Sequence, residues 1–150
     1  MDSQMADRFA IRELIDRYCY SVNERDWKVL ESCYTEDAVW DVGAPLNFKL
    51  EGRAAIVGIA SEKISEEDYV AQTADATMIW LDGDKARAQS TIRELVSSGK
   101  GARGMDILAT YSDDLVKING EWRFKRRVYR VTRMNFNPPV GELYREWPGA

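Results

Sequence analysis

The spacing of apolar residues along this 150-residue chain changes after about residue 68, and the change limits how the chain can fold. Before that point apolar residues recur at helical spacing, and beyond it they alternate with polar residues in four long runs. Two tight-turn sequences, Asp82-Gly83-Asp84 and Asn119-Gly120, divide these runs into hairpin pairs. The predicted strands are 70–81, 85–97, 105–118 and 121–134. Helices followed by long antiparallel strands predict an α+β fold, with the helices covering one face of a curved sheet.

The first part of the chain predicts three helices and two short strands. An apolar stripe predicts an amphipathic helix over 6–24; it consists of Ile11, Leu14, Ile15, Tyr18 and Val22. A short helix is expected after Asp26, a favourable N-cap, and a third over 53–64. Alternating residues predict a strand at 37–42 with a short partner at 46–50.

The length fits a single domain over 1–150, in which residues 135–150 form a C-terminal strap. This tail is too apolar for a plain disordered end, since it contains Leu143, Tyr144 and Trp147. It is expected to cover a pocket mouth or a neighbouring subunit. Packing on its own domain is the equally weighted alternative.

Composition excludes several classes of function. A net charge of −4 gives no general attraction to phosphate, so nucleic acid is not an expected partner. The first residues lack the pattern of an export signal and no apolar run reaches membrane-spanning length, which predicts a cytoplasmic protein without a membrane partner. Cys19 and Cys33 are therefore interpreted as buried thiols. The chain has no histidine, which disfavours zinc and non-haem iron sites, and we expect neither metal nor cofactor.

Motifs at the two ends of the chain resemble the SnoaL-like branch of the nuclear-transport-factor-2-like superfamily. The front carries Arg25-Asp26-Trp27 and, over 34–41, Tyr-Thr-Glu-Asp-Ala-Val-Trp-Asp. The back carries Gly120-Glu121-Trp122-Arg123-Phe124 and then Arg126-Arg127. The resemblance implies a cone of about three helices on the concave side of a sheet, enclosing a pocket for a hydrophobic small molecule. It also implies a homodimer or higher homo-oligomer.

The resemblance further implies a set of site residues. Hexachlorocyclohexane dehydrochlorinases and bile-acid 7α-dehydratases of this superfamily catalyse eliminations without a cofactor, using a Lys or Tyr, an Asp, a His and an Arg. In this chain those positions fall on Tyr18, Asn23, Gln72 and Arg127, respectively. The acid–base pair has thus become two amides, which hydrogen-bond but do not take a proton near neutral pH. Either the base has moved, or the protein binds without catalysing.

Glu94 is the first candidate for a relocated base. If Ala86 and Ala88 face the helices, alternation places Glu94 on the same face, where an apolar cone would raise its pKa. A solvent-facing Glu94 is the alternative, and a bulge would exchange it with Arg93. Asp106, which enters the next strand, is the second candidate.

Two further side chains complete the predicted site. Arg127 would anchor an oxygen of the substrate, although alternation alone leaves open whether Arg126 or Arg127 faces inward. Trp40 is a candidate wall of the pocket, and Asn23, Gln72 and Asp106 are the other candidate substrate contacts.

These residues support two main hypotheses. The first is a cofactor-independent lyase or isomerase acting on a hydrophobic, aromatic small molecule. It would eliminate water, halide or a small carbonyl fragment such as formaldehyde, with Glu94, Arg127 and Tyr18 as its catalytic residues. The alternative is a non-catalytic binding or assembly module, similar to the small subunits of ring-hydroxylating dioxygenases. A cyclase or epoxide-opening enzyme on the same scaffold is a weaker third reading.

Overall fold

A computed structural model describes residues 2–137 of the chain, and all nine predicted elements are present. The helices are α1 (Ser3–Glu24), α2 (Trp27–Ser32) and α3 (Arg53–Ser65). The strands are β1 (Tyr34–Val42), β2 (Phe48–Glu51), β3 (Tyr69–Asp82), β4 (Lys85–Ser98), β5 (Arg103–Ile118) and β6 (Glu121–Phe136). The α+β prediction is therefore confirmed.

Side-chain capping sets where the first two helices begin. Asp2 accepts a hydrogen bond from the backbone N–H of Gln4 at 3.4 Å, so α1 starts three residues earlier than periodicity predicts. Asp26 caps α2 in the same way, accepting from the backbone N–H of Val29 at 3.1 Å. Between the two helices Arg25 adopts a left-handed backbone conformation (φ 56°), which ends α1 and turns the chain into α2.

The strands form one open, six-stranded sheet in the order β2-β1-β6-β5-β4-β3. Neighbouring strands run antiparallel with one exception, the β1–β6 pair, which is parallel. The antiparallel prediction followed from hairpin turns, and no hairpin connects β1 to β6, so no tight turn fixes their relative direction. The three helices pack on one side of this sheet, and α1 makes its main contact with β3.

Two bulges in β6 decide which of its side chains face the helices. Leu115 pairs with Phe124 while Asp114 pairs with Arg126, so Lys125 is an extra residue in β6. A second bulge lies between the pairs formed by Leu108 and Ala109. Each extra residue reverses the alternation of the strand. As a result Trp122 and Phe124 are buried before the first bulge, and Arg127 and Tyr129 are buried after it.

The buried core lies between the helices and the inward face of the sheet, and both Cys19 and Cys33 are free thiols within it. The outward face of the sheet carries exposed apolar side chains, among them Met78, Trp80, Leu95 and Leu108. No helix within residues 2–137 is long and apolar enough to cross a membrane.

The predicted C-terminal strap differs from the structure at its start. Residues 135 and 136 continue β6, because they pair with Asp106 and Met105 of β5. The rest of the predicted strap, from residue 138 onward, lies outside the described residues.

Two glycines offer a matched test of the backbone. Gly120 has a positive φ (81°) in the β5–β6 turn and Gly58 lies in α3. At both positions an added Cβ meets no atom of residues 2–137 within 4 Å. Gly120→Ala should therefore lower the free energy of unfolding by about 1 kcal/mol through backbone strain. Gly58→Ala should raise it by roughly 0.5–1 kcal/mol through helix propensity. Urea denaturation measures both, and changes of the same sign would contradict this account.

Candidate functional site

A cavity of about 470 Å³ lies between the helices and the inward face of the sheet. Its walls are mostly apolar, with contributions from all three helices and from β1, β3, β4, β5 and β6. Six polar side chains on the walls form one connected group, which consists of Tyr18, Tyr34, Gln72, Glu94, Tyr111 and Tyr129. Lys63 and Glu67 also line the cavity. A mainly apolar cavity with a few polar groups is the usual form of a small-molecule site.

Glu94 lies on this wall. Ala86, Ala88 and Ile92 of β4 are buried on the same face, as the alternation of the strand requires. One carboxylate oxygen accepts a hydrogen bond from Nε2 of Gln72, and the other accepts from the Tyr129 hydroxyl at 2.8 Å. No salt bridge to Glu94 is found within residues 2–137. Burial raises the pKa of Glu94, and the hydrogen bonds from Tyr129 and Gln72 oppose that shift only in part.

The raised pKa makes the stability of the protein depend on pH. In the unfolded chain Glu94 titrates near its ordinary pKa of about 4.3, whereas the folded chain keeps the proton to higher pH. The contribution of Glu94 to stability should therefore fall as pH rises from about 4 through its folded pKa, and then level off.

Glu94→Gln removes this penalty. We expect the variant to unfold at higher urea than the wild type at about pH 8, with the gap closing towards about pH 4. Urea midpoints measured across this range test the prediction. Glu13→Gln, on the exposed side of α1, is the control and should follow the wild-type profile. Parallel profiles for Glu94→Gln and the wild type would contradict it.

Asn23 and Gln72 are held together by their own hydrogen bonds. The Asn23 side chain accepts from the backbone N–H of Gln72 at 2.6 Å and donates to its carbonyl at 2.9 Å, as a neighbouring strand would. The thiol of Cys19 donates to Oε1 of Gln72 at 3.8 Å, which leaves Nε2 directed at Glu94. Gln72 lines the cavity and Asn23 does not. Asn23 was expected to contact the substrate directly. In the structure it instead fixes the position of Gln72.

Arg127 lies beneath the cavity wall, with no exposed surface. Its Nε and one terminal nitrogen donate to the two carboxylate oxygens of Asp113, at 2.7 and 3.1 Å. Its guanidinium carbon lies 4.1 Å from the ring centre of Tyr18, 3.7 Å from that of Tyr111 and 3.9 Å from that of Phe124. The inward face is thus occupied by Arg127 and not Arg126, but the rings separate Arg127 from the cavity. Arg127 was expected to contact a substrate oxygen directly. In the structure it lies behind the rings of Tyr18 and Tyr111 instead.

Tyr18 occupies the wall as the α1 stripe predicts, and its hydroxyl lies 2.9 Å from that of Tyr111. Sequence reasoning missed Tyr111, Asp113 and Tyr129. A signal for the first two existed, because they alternate with Ala109 and Leu115 on the buried face of β5. The signal for Tyr129 was its position two residues after Arg127, because alternation puts both on one face of β6.

Two further predicted contacts have different outcomes. Trp40 lies on the cavity wall, with its ring edge-on to Phe48 at a centroid distance of 5.3 Å. Asp106 is exposed and belongs to the opposite face of the sheet, beside Arg93. Alternation explains the difference, because the neighbouring Ile107 takes the inward position. Asp106 therefore cannot contact a molecule in the cavity.

Within residues 2–137 no cluster of three or more His, Cys, Asp or Glu side chains is arranged to hold a metal ion.

A model of the SnoaL-like domain family matches residues 3–128, which is most of the chain. The chain belongs to the SnoaL-like domain family. No curated protein matches the sequence significantly.

Solved structures share the fold of this SnoaL-like domain at low sequence identity. A Novosphingobium aromaticivorans protein provisionally assigned as scytalone dehydratase is 19% identical, with a TM-score of 0.80 over 97% of this chain and 94% of its own. The hexachlorocyclohexane dehydrochlorinase LinA-type3 of Novosphingobium barchaimii is 20% identical, with a TM-score of 0.79 over 94% and 95%. The Kfla4162 protein of Kribbella flavida is 13% identical, with a TM-score of 0.83 over 89% and 95%.

The cavity of this SnoaL-like domain has two polar positions that differ in charge. Glu94, a carboxylate without a salt bridge to any residue of 2–137, is held by Gln72 and Tyr129 at one position. A pair of hydroxyls, those of Tyr18 and Tyr111, lies in front of a buried cation at another. Such an arrangement can take a proton from a bound molecule with the first group and stabilise negative charge on its oxygen with the second.

Proposed function

We propose that this protein is a cofactor-independent lyase or isomerase acting on a hydrophobic, aromatic small molecule. The observation that carries the proposal is Glu94, a carboxylate that faces a mainly apolar cavity and accepts two hydrogen bonds but forms no salt bridge with the part of the chain that the structure describes. Its raised pKa brings the carboxyl closer to the range in which general acids and bases work at neutral pH. Burial of a charged carboxylate without a salt bridge reduces stability, and such groups are more typical of reactive sites than of structural ones.

In the proposed elimination Glu94 removes a proton from a carbon atom of the substrate. The electron pair of the broken C–H bond forms a carbon–carbon double bond, and the bond to the leaving group breaks with its electrons. A departing hydroxide takes the proton that Glu94 has accepted and leaves as water, whereas a halide leaves as the anion. For loss of formaldehyde, Glu94 takes the proton of a hydroxymethyl group instead, and the oxygen electrons form the carbonyl of formaldehyde. The electron pair of the broken carbon–carbon bond stays with the ring carbon, which then takes the proton back from Glu94. An isomerase would return the proton at a second carbon.

The other polar groups have supporting roles in this proposal. Tyr18 donates a hydrogen bond to the oxygen on which negative charge develops. Gln72 and Tyr129 hold the carboxylate of Glu94 in one orientation, because each donates to a different oxygen. Arg127 acts through the tyrosine rings as a positioning residue.

A ligand screen followed by mass spectrometry tests the proposal. Hydroxylated, methoxylated and halogenated aromatic compounds are screened by thermal shift, and each stabilising compound is then incubated with the protein without any cofactor. Loss of water, hydrogen halide or formaldehyde from a compound, or formation of an isomer with a new retention time, supports the proposal. Binding of several compounds without any chemical change would count against it.

A binding or assembly module is the second candidate, and one observation favours it. Both oxygens of Glu94 already accept hydrogen bonds, and the Asn23 side chain bonds to the backbone of Gln72, so these polar groups have hydrogen-bond partners without a substrate. Co-purification in fixed ratio with a larger iron-containing subunit would support this reading.

A further inference from the structure

The Tyr18 and Tyr111 hydroxyls have one hydrogen atom more than their mutual bond uses. Their oxygens lie 2.9 Å apart, so one hydroxyl donates to the other and the second hydrogen is left over. Neither hydroxyl makes another hydrogen bond within residues 2–137. Both rings line the cavity. The remaining hydrogen is therefore available to an acceptor atom of a bound molecule.

A positive charge lies directly behind this pair. The Arg127 guanidinium contacts the rings of both Tyr18 and Tyr111, and it is closer to Tyr111. One terminal nitrogen of Arg127 has no hydrogen-bond partner within the described residues, so the bonds to Asp113 use only part of the donor capacity of Arg127. Arginine stays protonated in proteins, so this charge is permanent. Away from solvent, such a charge acts strongly on its surroundings.

The pair also lies beside the Glu94 group. The ring of Tyr111 packs against that of Tyr129 at a centroid distance of 5.0 Å, and the Tyr129 hydroxyl donates to Glu94. A single aromatic molecule in a cavity of about 470 Å³ can thus reach the spare tyrosine hydrogen and the carboxylate together. Two such positions fix the orientation of the molecule.

We propose that Tyr111 and Tyr18 together form an oxyanion site, which binds the oxygen of a phenolate or enolate in the cavity with Arg127 as its electrostatic support. The inference deepens the proposed function, since it names the ligand chemistry of the same cavity, and it adds Tyr111 to the residues that contact the ligand. Arg127 lowers the energy of a negative charge next to the hydroxyls, and this effect reaches the ligand through the two rings. The site selects against aromatic molecules that lack an ionisable oxygen.

4-Nitrophenol is a direct probe, because its phenolate absorbs visible light and its neutral form does not. Dissociation constants and the ionised fraction of the bound dye are measured for the wild type and for Tyr18→Phe, Tyr111→Phe and the double variant. Tyr20→Phe, at an exposed position of α1, is the matched control. Each substitution removes one oxygen atom, and circular dichroism checks the fold of every variant.

We expect the wild type to bind the dye as its phenolate. Each single substitution should weaken binding about tenfold, because one hydroxyl can still donate. The double variant should bind the dye more than about a hundredfold more weakly than the wild type, because no donor is left. Tyr20→Phe should bind like the wild type. Bound dye in the neutral form, no binding to the wild type, or unchanged binding in the double variant would overturn the proposal.

Glu94→Gln separates this inference from the proposed reaction. Removing a negative charge beside the oxyanion site should leave dye binding intact or strengthen it, while any turnover is lost. Loss of dye binding in Glu94→Gln, with normal binding in Tyr111→Phe, would place the oxygen at the carboxylate and overturn the oxyanion site. Dye binding that follows the tyrosines, together with the absence of turnover for every compound, would leave the oxyanion site standing without the lyase.

Discussion

Glu94→Gln should lower kcat by two to four orders of magnitude, which is about the usual contribution of a general base. The amide is nearly the same size as the carboxylate and can still accept the hydrogen bond from Tyr129. It cannot take a proton near neutral pH, so the chemical step loses its acceptor while the cavity keeps its shape. The measurement is kcat and KM on the best substrate from the mass-spectrometric screen, and KM should change little.

Asp106→Asn is the matched control for this prediction. It removes one carboxylate from the exposed face of the sheet, which does not contact the cavity. Its kcat should equal that of the wild type. If both variants turn over normally, the base is not Glu94; if both lose activity, the effect arises from net charge or folding and not from proton transfer.

Asp113→Ala should lower the free energy of unfolding by about 3–5 kcal/mol, the typical cost of removing one partner from a buried ion pair. Neither Asp113 nor Arg127 has solvent-exposed side-chain surface, and Asp113 accepts two of the hydrogen bonds that Arg127 donates. Without the carboxylate, a permanent positive charge is left in the core without a partner. Urea denaturation near neutral pH measures the loss.

Two further variants identify the cause of that loss. Asp114→Ala changes the neighbouring, exposed carboxylate and should alter stability by less than about 0.5 kcal/mol. The double variant Asp113→Leu, Arg127→Met removes both charges and should recover most of the stability lost in Asp113→Ala. If the double variant is as unstable as Asp113→Ala, the main cause of the lost stability is lost packing and not the unpaired charge.

Most of the fold was accessible from sequence because it depends on local rules. Asn119-Gly120 fixes a hairpin through the positive φ angles of both residues, and the stripe on α1 follows helical spacing over about three turns. Capping by Asp2 accounts for the early start of α1, which apolar spacing alone does not detect. These features involve only neighbours in the chain.

The site was less accessible because it depends on register. From the β5–β6 turn, regular pairing would place Arg126 opposite Asp113, and the extra residue Lys125 brings Arg127 there instead. Sequence alternation cannot reveal a single inserted residue in a strand rich in Arg and Lys. Glu94 was predictable, since no irregularity interrupts β4 between the buried Ala86 and Ile92 and the carboxylate itself.

The parallel pairing of β1 with β6 has a consequence for how the chain is made. During synthesis on the ribosome, β1 emerges long before its central partner, since residues 34–42 pair with a strand that begins at residue 121. Closing so large a loop is entropically costly, and contacts this distant in sequence slow folding. Until β6 is available, β1 can pair only with the short β2. Completion of the sheet, and with it of the cavity, therefore waits until β6 has been synthesised.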